Sequence, residues 1–541
     1  MPYDRFVLDR LPPAEQWPQR LDNLPPPVAG QSVNAITTLW ARAEEAGWMD
    51  RPFLRSPHEV LSYAQTRERV ARLASTLITT LGLQPGQRVL LRGPNSIELA
   101  VAWLAVVQAG LISVCTMPLL RAKELGDILV KSQPVLALCD ARWLDELQTA
   151  CAAHPGPVRV LSWGAQDGSD SLDTLMGLAP ARSVEVPAAP DMPDDPIALL
   201  AFTSGTTGSP KAAVHTHRDL LSACEAWPRH VLQARPDDIV MGSPPLAFTF
   251  GLGGLLLFPL WAGASVYYPD AAYTPARMVE LMAQVGCTVC YTAPTFYRQM
   301  APLIQQHPVP TLRISVSAGE ALPDATRQLW KQASGVEMLD GIGATEMFHI
   351  FISAAGPDVR PGAIGKVVPG YQARVVDDQG RELPRGTVGR LAVIGPTGCR
   401  YLSDPRQTSY VRDGWNYPGD TFIQDEAGYF HYQARDDDMI ITAGYNVGGP
   451  EVEDAMLQHP AVAECGVVAK PDAERGMIVK AYCVLRPGFT ASPELIQQLQ
   501  DHVKNSLAPY KYPRDIEFLS QLPRTETGKL QHFRLRQMAR G

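Results

Sequence analysis

The chain has 541 residues, more than a single hydrophobic core usually organises, so more than one domain is expected. With 45% hydrophobic and 19% charged residues, its composition is that of a soluble globular protein and excludes extended disorder and collagen-like repetition. The net charge of -8 argues against nucleic acid or an anionic membrane as the partner and favours small-molecule chemistry.

The N-terminal part of the chain is predicted to form parallel α/β units. Prolines in Leu11-Pro-Pro and Leu24-Pro-Pro-Pro indicate an extended surface arm in which no chemistry is expected. No basic segment followed by an apolar one is visible there, so no secretory signal is predicted and the cytoplasm is the expected compartment. A helical pattern at residues 63–81, a β-rich run after Gly86 and a second helix at residues 98–108 follow.

Two uncharged stretches reach the length of a membrane span, but their composition favours burial in a soluble fold. Residues 100–117 include Gln108 and Gly110, and residues 250–268 include four glycines and Pro259. Buried helices and strands, with no membrane span, are therefore predicted.

The cysteines do not form the pattern of a disulfide framework, since there are nine of them scattered along a long chain. Cys287-Thr-Val-Cys290 has the spacing of a redox or half-zinc motif, but it lies in an apolar run and no second pair completes a metal site. Reduced thiols, with this pair packed in the core, are predicted.

The second half of the chain changes character twice. A linker rich in Pro and Asp at residues 184–196 precedes an apolar strand candidate at 197–202, and α/β alternation then runs to about residue 355. Short β-like runs between Gly and Pro turns, such as residues 389–395, indicate a smaller β-rich subdomain. Strand candidates and polar helices in the last hundred residues predict a compact α+β unit.

A loop rich in Gly, Ser and Thr follows the strand candidate at 197–202. Thr203-Ser-Gly-Thr-Thr-Gly-Ser-Pro-Lys211 supplies hydroxyls, backbone amides and one cation, which together can wrap a polyphosphate. It is not a Walker loop, because Pro210 stands where the second Gly is needed and Ala212 follows the Lys in place of Ser or Thr. A phosphate-binding loop is predicted, with a plain surface linker as the alternative.

Two further segments place acidic residues beside glycine turns. Asp340-Gly-Ile-Gly-Ala-Thr-Glu346 sets a hydroxyl beside a carboxylate, which suits a metal ion that bridges phosphate oxygens. Trp415-Asn-Tyr-Pro-Gly-Asp420 ends in a carboxylate able to bind both hydroxyls of a ribose. An ordinary turn is the alternative for each segment.

Two segments near the C-terminus carry charged residues beside glycines. In Ala434-Arg-Asp-Asp-Asp-Met-Ile-Ile-Thr-Ala-Gly-Tyr-Asn446 one Arg precedes three acids, a pattern that is also typical of a solvated face. Leu522-Pro-Arg-Thr-Glu-Thr-Gly-Lys529 places a Lys after a Gly, where most terminal lysines have no special role. Neither segment is specific by itself.

Taken in order, these five segments resemble the successive signatures of the adenylate-forming superfamily of acyl-CoA synthetases, luciferases and peptide-synthetase adenylation domains. The resemblance covers nearly the whole chain. Three local sequences resemble benzoate- and 2-aminobenzoate-CoA ligases in particular: Met117-Pro-Leu-Leu-Arg-Ala-Lys-Glu124, Pro244-Pro-Leu-Ala-Phe-Thr-Phe-Gly-Leu-Gly253 and Asp340-Gly-Ile-Gly-Ala-Thr-Glu-Met-Phe-His349.

The resemblance implies a fold and an activity. The fold is α/β, with a large N-terminal domain of α/β subdomains and a β-rich subdomain at residues 1–435 and a small mobile α+β domain at 436–541. The activity is that of an ATP-dependent ligase that converts a small aromatic carboxylic acid, 2-aminobenzoate or benzoate, to an acyl-adenylate and then to its CoA thioester. ATP, Mg²⁺ and coenzyme A are implied, and a monomer and a homodimer both remain open.

The resemblance also assigns roles to single residues. Lys529 bridges the carboxylate and the α-phosphate, Lys211 binds the β- and γ-phosphates with its loop, and Thr345 serves the α-phosphate. Glu346 and Thr206 hold Mg²⁺. Asp437 is the hinge between the domains, and Gly444 reaches the CoA tunnel. The implied nucleotide site is Thr203, Ser204, Gly205, Thr206, Thr207, Gly208, Gly319, Glu320, Asp340, Gly341, Ile342, Asp420 and Arg435. The implied acyl pocket is Ala247, Phe248, Gly251, Ala318, Ile342, Gly343 and His349.

The sequence departs from the family pattern at two places. Many members carry a Tyr that stacks on adenine where this chain has Ile342, so an apolar contact is expected there. Some aryl-CoA ligases carry a His in the segment that reads Ala247-Phe248-Thr249 here, so no gating His is transferred and Phe248 is expected to wall the pocket. His349 is either a partner for an ortho substituent or a structural residue.

Three alternatives remain to this function. The chain could be a stand-alone adenylation enzyme that loads a carrier protein, although no carrier domain occupies the twelve residues after Lys529. It could also be a CoA ligase for another aryl or medium-chain acid. A silent nucleotide-binding regulator is the third alternative, but it would not need Lys211, Glu346 and Lys529 together.

Overall fold

The structure, a computed structural model, describes most of the chain. The described ranges are residues 2–25, 31–164, 171–178, 191–203, 210–435, 438–442, 445–472, 476–524 and 530–540.

The N-terminal elements build a mixed sheet that is mostly parallel. Within the described residues its strand order is β6-β5-β3-β4-β7-β8, in which only the final pair, β7 with β8, is antiparallel. In chain order the elements of this region are α1 Ala35–Glu45, β1 Pro52–Arg55, β2 Val60–Ser62, α2 Tyr63–Ser75, β3 Arg88–Arg92, α3 Ile97–Gln108, β4 Ile112–Thr116, α4 Ala122–Ser132, β5 Leu136–Asp140, α5 Leu144–Ala153, β6 Arg159–Trp163, α6 Leu172–Leu178, β7 Ile197–Thr203 and β8 Lys211–Thr216.

A second sheet follows, with the order β15-β14-β13-β12-β11-β9-β10-β1-β2 among the described strands. The strands from β1 to β13 in that order run parallel, whereas β2, β14 and β15 are antiparallel additions at its edges. Its elements are α7 His217–Cys224, β9 Ile239–Gly242, α8 Thr249–Leu252, α9 Phe258–Ala262, β10 Ser265–Tyr267, α10 Pro275–Val285, β11 Val289–Thr292, α11 Pro294–Gln306, β12 Ile314–Ala318, α12 Asp324–Ser334, β13 Met338–Gly343, β14 Ile350–Ser353 and β15 Lys366–Val367.

One apolar core cluster contains residues of α3 and of both sheets. Residues 97 and 99–108 of this helix are all buried, and one core cluster joins them to Val89 of the first sheet and Val289 of the second. The apolar run at 100–117 therefore forms α3 and β4 inside the protein, as predicted. No helix in the described part of the chain is long and apolar enough to cross a bilayer.

A β-rich subdomain and a small α+β unit complete the fold. The β-rich subdomain comprises β16 Gln372–Val376, β17 Gly389–Ile394, α13 Gln407–Tyr410, β18 Val411–Arg412, β19 Trp415–Asn416, β20 Asp420–Gln424 and β21 Phe430–Arg435. The small unit comprises β22 Ile440–Thr442, β23 Tyr445–Val447, α14 Gly449–Leu457, β24 Val462–Asp472, β25 Gly476–Leu485, α15 Pro493–Ser506, β26 Asp515–Phe518 and α16 His532–Arg540. The predicted α/β class, with a β-rich part and a C-terminal α+β unit, is confirmed.

The N-terminal arm is more than the surface feature that its prolines predicted. Tyr3 and Val7 are buried, and Arg20 forms an isolated parallel bridge with Gly395 of the β-rich subdomain. The Arg20 guanidinium also lies 2.9 Å from the Asp219 carboxylate on α7, which is fully buried. The arm therefore contributes a charge to the interior, which proline spacing could not indicate.

All nine cysteines lie in the described residues and carry free thiols. Cys287 and Cys290 are fully buried in the apolar cluster that also contains Met300 and Trp330, so their predicted core packing is confirmed. Burial raises the pKa of the Cys290 thiol to about 12. Cys151 on α5 is only half-buried.

We expect only the Cys151 thiol to react with a thiol reagent in the native protein. Reactivity requires an accessible thiolate, and the other thiols are buried. Titration with a chromogenic disulfide should count about one thiol in buffer and all nine in guanidinium chloride. Cys151→Ser should abolish the native reaction, and a reaction that persists in this variant would contradict the prediction.

Candidate active site

The predicted phosphate loop connects β7 to β8 at the edge of the first sheet. Thr203, the last residue of β7, is paired in register with Lys211, the first residue of β8. The Thr203 hydroxyl is buried and has no hydrogen-bond partner among the described residues. Ser204, Gly205, Thr206, Thr207 and Gly208 lie outside the described residues.

Lys211 and Glu346, which are 135 positions apart in the sequence, form an ion pair with 3.3 Å between Nζ and Oε1. The Tyr401 hydroxyl completes a triangle, because it accepts from Lys211 Nζ at 2.9 Å and donates to Glu346 Oε1. Burial, reinforced by the Glu346 carboxylate, raises the pKa of Tyr401 well above its ordinary value, so the hydroxyl keeps its proton. The structure thus brings two predicted catalytic residues into direct contact.

Two tyrosines of this site were not predicted. The Lys211 ammonium lies 5.0 Å from the centroid of the Tyr401 ring and 5.9 Å from that of Tyr410, and the two rings are 5.7 Å apart. Burial raises the pKa of the Tyr410 hydroxyl well above its ordinary value, and the Glu346 carboxylate adds to this rise. Neither tyrosine stands beside a Gly-rich or acidic motif, and no sequence signal marked them.

The predicted ribose residues meet across two neighbouring strands. Asp420 begins β20 and Arg435 ends β21, and the register of this antiparallel pair sets them opposite each other. Arg435 Nη1 lies 3.4 Å from Asp420 Oδ1. Asp420 is buried, whereas the Arg435 side chain is half-exposed. A carboxylate is therefore presented beside a cation at the edge of the β-rich subdomain.

The predicted adenine residues lie on the adjacent strands β12 and β13. Register pairs Asp340 with Ser317 and Gly341 with Ala318, which places the segment from Asp340 to Gly343 beside Ala318 and Gly319. The Glu320 carboxylate accepts from the Thr295 hydroxyl at 3.1 Å. Burial raises the pKa of Asp340 from 3.8 to about 7, opposed by the backbone N–H of Gly341 that donates to its carboxylate.

A buried ion network supports the turn that carries Thr345 and Glu346. His215 Nε2 lies 2.7 Å from the Thr345 carbonyl oxygen, and because a carbonyl only accepts, Nε2 carries the proton. Behind His215, Asp219 pairs with Arg400 at 2.8 Å and with Arg20. Burial alone would raise the pKa of Asp219, but the two guanidinium groups outweigh it and hold that pKa well below its ordinary value.

His349, a residue of the predicted acyl pocket, lies among aromatic rings. The rings that contact His349 are those of Trp227, Phe250 and Phe258, with centroids at 5.3, 5.6 and 4.6 Å. Phe248 is half-buried at the start of α8. The other nominated residues are placed as follows: Ala247 is half-buried, Gly251 lies against the Pro245 carbonyl, Ile342 faces Ile352 across the hairpin, and Gly343 is exposed.

The small C-terminal unit contacts helices α11 and α12, which belong to the region of the second sheet. Asp454 on α14 accepts from the backbone N–H of Ala325 at 3.1 Å. Arg524 lies 3.5 Å from the Thr295 hydroxyl, which itself donates to Glu320, and forms an antiparallel bridge with Leu530. The predicted Lys529, Asp437 and Gly444 lie outside the described residues.

Comparison with known families assigns both parts of the chain. The model of the family described as AMP-binding enzyme matches residues 40–400, well over half of the chain. This chain belongs to the AMP-binding enzyme family. The model of the AMP-binding enzyme C-terminal domain matches residues 451–529, within the small α+β unit.

Several relatives of this AMP-binding enzyme are similar along nearly their full length. It is 37% identical to a benzoate-CoA ligase of Thauera aromatica over 95% of this chain and 98% of that protein. It matches the crystal structure of an anthranilate CoA ligase in complex with anthranoyl-AMP at a TM-score of 0.89 and 32% identity, covering 96% of this chain and 99% of the other.

A benzoate CoA ligase of Burkholderia xenovorans LB400 gives a TM-score of 0.84 at 31% identity, over 93% of this chain and all of the other. The resemblance inferred from the motifs, to adenylate-forming enzymes and in particular to benzoate- and anthranilate-CoA ligases, is confirmed.

We expect Asp340→Asn to stabilise the unliganded enzyme in a pH-dependent manner. The carboxyl has a pKa of about 7 in the fold, so its ionisation costs stability progressively as the pH rises from about 4, its unfolded pKa, to about 7. Melting temperatures should differ little between variant and wild type near pH 4, and the gap should grow to a plateau above about pH 7. The matched control is Asp378→Asn at an exposed position, and a gap that is constant with pH would contradict the assignment.

Proposed function

We propose that this AMP-binding enzyme is an AMP-forming aryl-acid-CoA ligase. It activates a small aromatic carboxylic acid with ATP as the acyl-adenylate, and then transfers the acyl group to the thiol of coenzyme A. The observation that carries the proposal is the Lys211, Glu346 and Tyr401 triangle beside the predicted phosphate loop, in a fold shared along its whole length with aryl-CoA ligases.

The triangle suits nucleotidyl transfer. Such reactions depend on positioned charges more than on covalent catalysis, because the pyrophosphate leaving group develops negative charge. Lys211 supplies a cation to the phosphates, and Tyr401 fixes its position through a hydrogen bond and its ring face. The hydrogen bond from His215 to the Thr345 carbonyl orients this turn, so that Thr345 can contact the α-phosphate.

Mg²⁺ fits the residues around Glu346. Mg²⁺ prefers one or two carboxylates together with phosphate oxygens, and among the described residues no group of three or more His, Cys, Asp or Glu side chains forms a cage for a metal ion. The Glu346 carboxylate and the unpartnered Thr203 hydroxyl are hard oxygen donors on facing elements. With Thr206, Glu346 would hold the ion, and the bound ion would neutralise charge on the phosphates.

The remaining polar residues bind the nucleoside. Asp420 accepts from the ribose hydroxyls while Arg435 reaches the ribose or the phosphates. Asp340 and the segment from Ala318 to Glu320 hold the adenine, and Ile342 contacts its face in place of the tyrosine common in the family. Free thiols throughout the chain suit the reducing cytoplasm, where CoA and ATP are available.

The two half-reactions use different faces of the small domain. We divide the chain at residues 435 and 436, with Asp437 as the hinge. Lys529 serves adenylation, and the loop with Gly444 serves thioester formation at the CoA tunnel. Asp454 and Arg524 contact the large domain through polar groups, which suits an interface that opens and closes.

We expect acid-dependent exchange of pyrophosphate into ATP with aromatic acids, followed by a CoA thioester. The panel is benzoate, 2-aminobenzoate, the hydroxybenzoates and a medium-chain acid, read by exchange and by mass spectrometry of the thioester. Exchange with no thioester would assign the enzyme to carrier-protein loading instead. A preference for the medium-chain acid would overturn the aromatic assignment.

We expect Lys529→Ala to lose adenylation and to retain the second half-reaction. The lysine acts only while the α-phosphate is attacked, so the variant should still convert supplied aryl-AMP and CoA to thioester. Single-turnover measurements of each step test this asymmetry, with the exposed Lys331→Ala as the control for a lost surface cation. Equal losses in both steps would argue against domain alternation.

A further inference from the structure

The N-terminal arm carries Arg20 to the boundary between α7 and the β-rich subdomain. The backbone N–H of Leu21 donates to the Gly395 carbonyl at 3.0 Å, and Arg20 Nη2 donates to the Pro396 carbonyl at 2.7 Å. Arg20 and Gly395 also form a parallel bridge. The AMP-binding enzyme model matches residues 40–400, so Arg20 lies outside the segment that this model covers.

The charge of Arg20 is directed at the Asp219 carboxylate, which has no exposed surface. Arg20 Nη1 lies 2.9 Å from Asp219 Oδ1, and Arg400 Nη2 lies 2.8 Å from Asp219 Oδ2. Burial raises the pKa of Asp219, but the guanidinium groups, that of Arg20 ahead of that of Arg400, outweigh burial and hold this pKa well below its ordinary value. Loss of Arg20 would leave a buried charge incompletely paired, which is strongly unfavourable.

Asp219 is connected to the Thr345 turn through the start of α7. Its carboxylate accepts from the backbone N–H of Thr216 at 2.9 Å, and the Thr216 hydroxyl accepts from the backbone N–H of Asp219 at 3.3 Å. This capping box fixes the first turn of the helix. His215 directly precedes Thr216, and its Nε2 donates to the Thr345 carbonyl at 2.7 Å. A displacement of Asp219 would therefore move the side chain that supports the turn.

Asp219 is also connected to Tyr401, because Arg400 is the residue before it. The main chain at Arg400 and Tyr401 pairs with β8. The Tyr401 hydroxyl accepts from Lys211 Nζ at 2.9 Å and donates to the Glu346 carboxylate. Asp219 thus connects the arm with a second support of the predicted phosphate site.

Arg218 on α7 holds the arm by a separate route. Arg218 Nη1 donates to the Pro25 carbonyl at 2.6 Å, and Nη2 lies 3.5 Å from the Asp22 carboxylate. If the arm merely stabilised the fold, loss of Arg218 and loss of Arg20 would have the same kind of effect. If the arm positions the site, the effect on catalysis belongs to Arg20.

We propose that Arg20 is a positioning residue for adenylation, which acts through Asp219 to hold the Thr345 turn and Tyr401 where they serve the phosphates of ATP. The inference rests on the proposed function and adds to it a residue from outside the matched family segment. Misplacing a reacting group by about 1 Å costs up to about a hundredfold in rate. Because the network ends at the phosphate residues, its loss reduces kcat and spares the KM of the aromatic acid.

The test is a double-mutant cycle read by steady-state exchange of pyrophosphate into ATP, with whichever acid of the panel the wild type uses best. Arg20→Gln should lower kcat about tenfold to a hundredfold and leave the KM of the acid within about twofold. Asp219→Asn should also lower kcat, and adding Arg20→Gln to it should cost less than about threefold more, because the two residues act as one unit. Additive losses, or a wild-type kcat in Arg20→Gln, would overturn the inference.

Arg218→Gln is the matched control, since it loosens the arm and keeps the pair between Arg20 and Asp219. Both single arginine variants should melt at a lower temperature than the wild type, but Arg218→Gln should keep its kcat. An equal fall of kcat in the two variants would show that the arm acts through stability alone and would refute the positioning role.

Arg20→Lys restores a cation opposite Asp219 and should regain kcat several-fold over Arg20→Gln, whereas no recovery would contradict the inference. Should Arg20→Gln fail to fold, the comparison of Asp219→Asn with the double variant decides, because neither contains the buried carboxylate. A wild type without acid-dependent exchange would overturn the proposed function together with the inference. Normal exchange that is insensitive to Arg20 would overturn the inference alone.

Discussion

The contact between Lys211 and Glu346 is the constraint on which the site depends. Both charges are largely removed from water, and an unpaired buried charge is strongly unfavourable. Pairing them requires the start of β8, the turn after β13 and the segment around Tyr401 to meet at one point. One interaction thus joins the first sheet, the second sheet and the β-rich subdomain at the place where phosphates are expected.

A second layer of charge holds that meeting point in place. Asp219 on α7 forms ion pairs with Arg400 of the β-rich subdomain and with Arg20 of the N-terminal arm. His215, four residues before Asp219, donates a hydrogen bond to the Thr345 carbonyl. Removing one partner from a buried pair costs about 3–5 kcal/mol, because the other charge is left uncompensated. The proline-rich arm is therefore part of the support of the site, although no catalytic chemistry was expected in it.

The acyl pocket follows a different principle. Around His349 the interior is aromatic, with the rings of Trp227, Phe250 and Phe258 against the imidazole, whereas Glu346 and Asp420 on the nucleotide side each pair with a cation. This division suits a substrate with a flat ring at one end and a carboxylate at the other. Specificity for the ring and electrostatic activation of the carboxylate can then vary independently.

The sequence alone determined the α/β class, with a β-rich part and a C-terminal α+β unit, and it marked Lys211, Glu346, Asp420 and Arg435 as candidates for one site, because periodicity and glycine-rich turns are local signals. Only the tertiary structure decided that Tyr401 and His215 contact the residues of the site, that Arg20 supports it through Asp219, and that Trp227, Phe250 and Phe258 surround His349. These contacts join residues far apart in the chain. Their geometry depends on the register of the paired strands and on the pairing of buried charges, and neither can be predicted from a single segment of the sequence.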